Sequence, residues 1–155
     1  RETNAVAAYI SFIRSDTDPM DLDHNYTNEA LSKLIRATEV KADQLGYEVK
    51  ADLDQARSLA DKIQQEQSAT THAGSIRSAA DIISKSLQNM QQAHYADLDN
   101  EAGGVSNAAA DIDPAELTLE QKKEIKAFFR EAADLLDKMD EDKNNSQNET
   151  ELINK

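Results

Sequence analysis

The chain has 155 residues, of which 30 are acidic and 17 are basic, so its formal net charge at pH 7 is -13. This charge disfavours nucleic acids and anionic lipid surfaces as partners, because both attract basic proteins. Cysteine is absent, which excludes disulfides, thiolate nucleophiles and cysteine-ligated zinc. The length suits one domain with its own core, and no apolar run is long enough to span a membrane.

The first predicted helix is short and covers about residues 3–14. Its apolar side chains recur at three- and four-residue spacing on one side, which is typical of an amphipathic helix. These residues are Val6, Tyr9, Ile10 and Ile13. The acidic segment over residues 15–25 follows, and Pro19 within it favours a connection over a continued helix.

The most regular pattern predicts one unbroken helix over about residues 27–66. Two sets of mostly apolar residues recur there at heptad spacing, and each forms a line along one face of the helix that we call a seam. One seam contains Ile35, Ala42, Val49, Ala56 and Ile63, and the other contains Leu31, Thr38, Leu45, Asp52 and Leu59. Asp52 is charged, and Leu53 beside it is the alternative inward-facing residue. Gly46 lies next to the seam and indicates close packing or a local bend. Such a helix is roughly 60 Å long, which predicts an elongated shape.

A polar turn over about residues 68–74 separates this helix from a third one, which repeats the pattern. Its seam contains Ile76, Ala80, Ile83, Leu87, Met90, His94 and Asp97. Folding this helix back antiparallel would bring Ile76 beside Ile63 and Met90 beside Val49, so that small and large side chains interdigitate.

A long connection over about residues 100–117 is predicted to lead to the fourth helix. Asp113-Pro114 and Thr118 to Gln121 are two alternative helix starts. The seam that follows is wide, which is typical of a helix inside a bundle. It contains Ile125, Phe128, Phe129, Ala132, Leu135, Leu136 and Met139. Residues 1–142 are thus predicted to form a single helical-bundle domain, and residues 143–155 a polar, acidic and Asn-rich tail.

The predicted fold is therefore all-α: an elongated antiparallel bundle of about four helices, of which the first is short and the second is long. Short links leave the turn between the second and third helices as the least covered end. Leu59, Ile63 and Ile76 are predicted to be partly exposed at this tip. We expect the tip to contact a protein partner or a second copy of the chain, because exposed apolar seams commonly bind another helix.

Residues that carry chemistry are few. None of His24, His72 and His94 belongs to a zinc-binding helix, and the glycine-rich phosphate loop and the serine-nucleophile motif are absent. Paired Glu-x-x-His motifs for a di-iron site are also absent. Met90 and His94 share a helix face and could ligate a haem, although methionine on a seam is ordinary core filling. We expect no catalytic, cofactor-binding or metal-binding residues.

Residues 140–151 resemble the calcium loop of the EF-hand family. The resemblance implies oxygen ligands from Asp140, Asp142, Asn144, Ser146 and Glu151, since Ca²⁺ takes six or more oxygens. It covers twelve residues, within which Asn145 replaces the usual glycine and Gln147 replaces the usual apolar anchor. The alternative interpretation is a polar tail without bound metal.

The leading functional prediction is a non-enzymatic protein that mediates protein contact or self-assembly. Because the chain starts at Arg1 rather than Met, we expect a cleaved leader and an extracytoplasmic location: periplasm, cell surface or secreted. The alternative is a small-molecule carrier with a cavity of roughly 300 Å³ between the alanine-rich seams and Phe128/Phe129. A third interpretation is an enzyme with its site in the connection over residues 100–117.

Overall fold

Helices form almost the whole described part of the chain. The computed structural model describes the backbone of residues 2–15, 24–65 and 72–153, and the side chains of residues 5–15, 26–63, 65 and 72–141. Six helices occur there: α1 (Glu2–Arg14), α2 (His24–Leu45), α3 (Lys50–Gln65), α4 (His72–His94), α5 (Asp99–Ala110) and α6 (Lys122–Ile153). No strand occurs in these ranges, so the all-α prediction is confirmed, whereas the count of about four helices is wrong.

The helix predicted over residues 27–66 is divided in two at Gly46. Gly46 has a φ of +68°. The Tyr47 N–H donates to the carbonyl oxygen of Ala42 at 2.9 Å, and the Gly46 N–H donates to that of Asp43 at 3.2 Å. These two bonds form a Schellman motif, which ends a helix on a left-handed residue where glycine has no Cβ to clash. The predicted unbroken rod is therefore wrong, and so is the elongated shape that rested on it.

The seams nevertheless identify most of the buried residues on both sides of this break. Every member of the first seam is buried: Ile35, Ala42, Val49, Ala56 and Ile63. In the second seam, Leu31 and Thr38 are buried, while Leu45 and Leu59 are half-buried. Asp52 is exposed in the first turn of α3 and Leu53 is buried in its place. The helix dipole favours a carboxylate in the first turn, and the exposed position of Asp52 avoids the cost of burying its charge.

The predicted connection over residues 100–117 is largely the helix α5. Its buried side chains are small and give a weak periodic signal: Ala102, Val105, Ala108 and Ala109. The helix start predicted at Asp113-Pro114 is not used. Instead, residues 111–121 form a loop with a short 3₁₀ turn at Thr118–Glu120, and α6 begins at Lys122.

The helices pack in chain order, and the last one closes on the first. Each helix contacts the next, and α6 contacts α1. Across this closing contact, the Tyr9 hydroxyl donates to the carbonyl oxygen of Phe129 at 2.7 Å. Burial raises the pKa of Tyr9 well above its ordinary value, so the hydroxyl remains a neutral donor. This bond joins the first helix to the last one.

A buried charge joins α2 to α6. The Lys41 side chain has no exposed area, and its ammonium donates to the Asp140 carboxylate. Gln44 Oε1 lies 3.4 Å from the same nitrogen, and the centre of the Tyr95 ring lies 6.0 Å away. A buried ammonium is costly unless it is paired and hydrogen-bonded, so this set of partners compensates the desolvation of Lys41.

An ionic contact joins α2 to α3 beyond the break. The Glu39 carboxylate accepts from Arg57 of α3 at 2.7 Å and from Arg36 at 2.9 Å. The hydrogen bond from Arg57 lowers the pKa of Glu39, because it favours the charged carboxylate. Glu39 therefore stabilises the α2/α3 packing while it is ionised.

Replacing Gly46 by alanine should destabilise the protein by about 1 kcal/mol, because alanine is strained in the left-handed conformation. Urea unfolding measures the difference. The matched control is Gly103→Ala in the interior of α5, where an added Cβ would meet nothing within 4 Å. That change should stabilise the protein by up to about 1 kcal/mol. Two shifts of the same sign would contradict the role given to Gly46.

Replacing Glu39 by glutamine should reduce the stability at pH 7 by roughly 0.5 kcal/mol, the size expected for a partly exposed ion pair. Since the folded-state pKa of Glu39 is lowered, its contribution is complete above the ordinary value of 4.5 and is lost as the pH falls through the folded value. The difference from wild type should therefore shrink progressively as the pH falls below 4.5. Urea unfolding at a series of pH values from 7 downwards checks this, with the exposed Glu141→Gln as control. A difference that is independent of pH would refute it.

Candidate functional site

The predicted tip is the end of the hairpin formed by α3 and α4. Ile63 and Ile76 are each only 1% exposed, while Leu59 is half-buried. The prediction that this apolar tip is exposed is therefore wrong for both isoleucines. It assumed a single helix as cover, whereas a loop from a distant part of the chain reaches this end.

The loop over residues 111–121, which we call the α5–α6 loop, contacts the start of α4. A Cβ placed on Gly74 would lie 4.0 Å from the carbonyl oxygen of Pro114. Arg77 Nη1 donates to the carbonyl oxygens of Ala110 at 3.2 Å and Ile112 at 2.9 Å. These carbonyls follow the end of α5, where helical partners are lacking and the dipole favours a cation. Arg77 therefore attaches the loop to α4.

A groove of about 580 Å³ remains where α3, α4 and the α5–α6 loop meet. Its lining mixes apolar and charged groups, and it includes Leu59, Lys62, Arg77, Asp81 and Pro114. Arg77 Nε lies 3.0 Å from an Asp81 carboxylate oxygen, so these two charges compensate each other. The groove is open at the surface and is not an enclosed cavity.

The α5–α6 loop is held in shape by the buried side chain of Gln121. Its Oε1 accepts from the Asp113 N–H at 2.8 Å, and its Nε2 donates to the carbonyl oxygens of Asp113 at 2.8 Å and Glu116 at 3.1 Å. The Asp113 carboxylate also accepts from the Ala115 N–H at 2.9 Å. The side chain of Gln121 thus supplies the partners that a strand or helix would otherwise give to this backbone.

Two leucines project from this braced loop into solvent. Leu117 is 52% exposed and Leu119 is 68% exposed, and they are the exposed large apolar residues of the part of the chain that the structure describes. Isolated exposed leucines are common, but two of them on one rigid loop form a small apolar surface. Helical periodicity could not identify them, because neither lies on an α-helix and Leu119 belongs only to the short 3₁₀ turn. The signal available in the sequence is their alternation with polar residues after Pro114.

The surroundings of these leucines are acidic. The loop carries four exposed carboxylates, at Asp111, Asp113, Glu116 and Glu120, and no basic side chain. Lys122 and Lys123 follow at the start of α6, and Glu124 comes next. These exposed carboxylates, which flank the two leucines along the chain, are called the acidic rim.

The residues considered for haem ligation do not converge. Met90 and Met139 are fully buried, whereas His94 is exposed at the end of α4. His72 begins α4 and is half-buried, and the side chain of His24 lies outside the described residues. Among the described side chains, no group of three or more histidines and carboxylates is placed to hold a metal ion.

The backbone of the segment that resembles a calcium loop is helical. The helix α6 continues without interruption from Lys122 to Ile153. A helix turns by about 100° per residue and directs alternate residues to different sides, so it does not form the loop that surrounds a calcium ion. Asp140 is instead paired with Lys41, and the side chains from residue 142 onwards lie outside the described ones.

Phe128 and Phe129, where the carrier interpretation places its ligand, are both fully buried. Their ring centres are 5.5 Å apart, and Phe129 also contacts the ring of Tyr26 at 6.5 Å. Neither phenylalanine lines the groove described above.

No protein family, curated protein or solved structure matches this chain. Within the described ranges, no helix combines the length and the apolarity that a bilayer crossing requires. The function is therefore argued from the surface itself.

Replacing Gln121 by alanine should loosen the α5–α6 loop, because the Asp113 and Glu116 backbone groups lose their three hydrogen bonds. Hydrogen exchange followed by mass spectrometry should show faster exchange over residues 113–120. We expect the free energy of unfolding to fall by about 1–3 kcal/mol. The control is the exposed Gln92→Ala on α4. Unchanged exchange in the loop would show that Gln121 does not brace it.

Proposed function

We propose that this chain is a non-enzymatic helical-bundle protein that binds another protein through the α5–α6 loop. The observation that carries the proposal is the exposure of Leu117 and Leu119 on a loop that is fixed by Gln121. The proposal keeps the protein-contact function predicted from the sequence but places it on a different surface. An extracytoplasmic location remains a prediction.

The energetics favour binding by these leucines. Full burial of one fully exposed leucine side chain contributes about 1.5–3 kcal/mol. Because Leu117 is 52% and Leu119 is 68% exposed, covering both contributes about as much as burying one leucine, which is a useful share of a moderate affinity. A flexible loop would lose conformational entropy when it binds, and this loss reduces affinity. Because the Gln121 hydrogen bonds already order the loop, that cost is small here. The rim of exposed carboxylates around the pair resembles the polar rim of protein interfaces.

The groove beside Pro114 extends the same surface. Leu117 follows Pro114 by three residues, so their Cα atoms lie within about 11 Å of each other. A partner that covers the leucines can therefore also reach the half-buried Leu59 in the groove. Leu59 is the one residue of the predicted contact set that is still partly exposed, and it belongs to this extended surface.

Selection from a random library of 15-residue peptides tests the proposed function. Peptides recovered on the wild-type protein should bind at least about ten-fold more weakly when Leu117→Ser and Leu119→Ser are combined, since the apolar contact is lost. Fluorescence anisotropy measures the affinities. Ala115→Ser, at an exposed position of the same loop, is the matched control and should bind as wild type does.

Two results would refute the proposed function. One is a failure to recover any binding peptide. The other is a set of peptides that bind the wild type and the double leucine variant equally well, because their binding would then lie elsewhere on the protein. Circular dichroism of the double variant should be unchanged, since neither leucine is part of the core.

A further inference from the structure

We infer that the segment bound by the α5–α6 loop is basic and amphipathic: a lysine- or arginine-rich stretch of a partner protein that also carries apolar side chains. This inference rests on the proposed function and adds the chemistry of the partner. It follows from the juxtaposition of two exposed leucines with four exposed carboxylates on one braced loop.

The apolar side chains of the segment are required by Leu117 and Leu119. A wholly polar partner would leave both leucines in water and would gain nothing from their exposure. A wholly apolar partner would instead desolvate carboxylates without giving them a cation, and an unpaired buried carboxylate is strongly unfavourable. A segment that alternates apolar and charged groups satisfies both demands.

The sign of the charge follows from the rim. The basic groups that border this surface are Lys62, Lys122 and Lys123, and Glu124 adds a further carboxylate. The carboxylates therefore outnumber the lysines, and Arg77 is already paired with Asp81. Complementary charge across an interface accelerates association and rejects partners of the wrong sign.

The same electrostatics argue against a second copy of this chain. Each copy has a net charge of -13 and would present its own acidic loop, so that like charges would face each other across a symmetric contact. A basic partner removes this repulsion. It also gains from the overall negative field of the protein, which attracts cations from a distance.

Two synthetic peptides of 14 residues test the inference by fluorescence anisotropy. Both have leucines at helical i, i+3, i+4 and i+7 spacing; one has lysine and the other has glutamate at the remaining positions. The lysine peptide should bind the wild-type protein, and its affinity should fall several-fold between 50 and 300 mM NaCl, because salt screens the charge contacts. The glutamate peptide should bind at least ten-fold more weakly. Equal affinity for the two peptides would overturn the inference.

Two double variants with the same change in charge show where on the protein the lysine peptide binds. Glu116→Gln with Glu120→Gln removes two carboxylates from the loop, whereas Asp97→Asn with Asp99→Asn removes two exposed carboxylates at the opposite end of α5, a helix about 18 Å long. The loop pair should weaken binding of the lysine peptide several-fold and reduce its salt dependence. The distant pair should leave both nearly unchanged. Equal effects of the two pairs would mean that net charge alone attracts the peptide, which would also overturn the inference.

The proposed function and the basic character of the partner can be refuted separately. If the peptides recovered from the random library require Leu117 and Leu119 but are neutral or acidic, the protein-binding function holds and the basic partner is wrong. If binding of the lysine peptide does not depend on the leucines, the docking surface itself is wrong. Sedimentation velocity of the protein alone tests whether the partner is a second copy of the chain. A stable dimer that dissociates when Leu117→Ser and Leu119→Ser are combined would show that the surface binds a second copy and not a basic partner.

Discussion

The left-handed backbone at Gly46 is the constraint from which the rest of the architecture follows. It ends α2 with two capping hydrogen bonds and lets α3 pack against α2 instead of extending it. The α3/α4 hairpin then contacts α2 through α3 and α5 through α4. The helix α5 contacts α6, and α6 contacts α1.

The α5–α6 loop has two roles, and both depend on the side chain of Gln121. On its inner side, Ile112 is buried in the core, and Arg77 of α4 donates to the carbonyl oxygens of Ala110 and Ile112. Its outer side carries the exposed leucines and the acidic rim. A loop of this length would normally be mobile, but Gln121 holds its backbone from within the fold. The cover of the core and the proposed docking surface are therefore two faces of one ordered segment.

Beside the apolar core, three polar contacts join the helices of this acidic chain. Tyr9 connects α1 to α6, Lys41 connects α2 to α6, and the Glu39 and Arg57 pair connects α2 to α3. Each contact joins segments that are adjacent only in the folded state. Heptad spacing cannot predict such contacts, because it reports which face of a helix is apolar and not which helix it meets.

The sequence by itself determined the all-α class and most of the core, from Ile35 and Ala56 to Phe128 and Leu135, because burial follows helical periodicity wherever a helix forms. Gly46 was visible as an irregularity, but whether a glycine bends, packs or ends a helix depends on what the chain contacts afterwards. Only the tertiary structure decided that Ile63 and Ile76 are covered and that Leu117 and Leu119 are exposed. Both outcomes depend on the packing of segments that are distant in sequence, which no local pattern encodes.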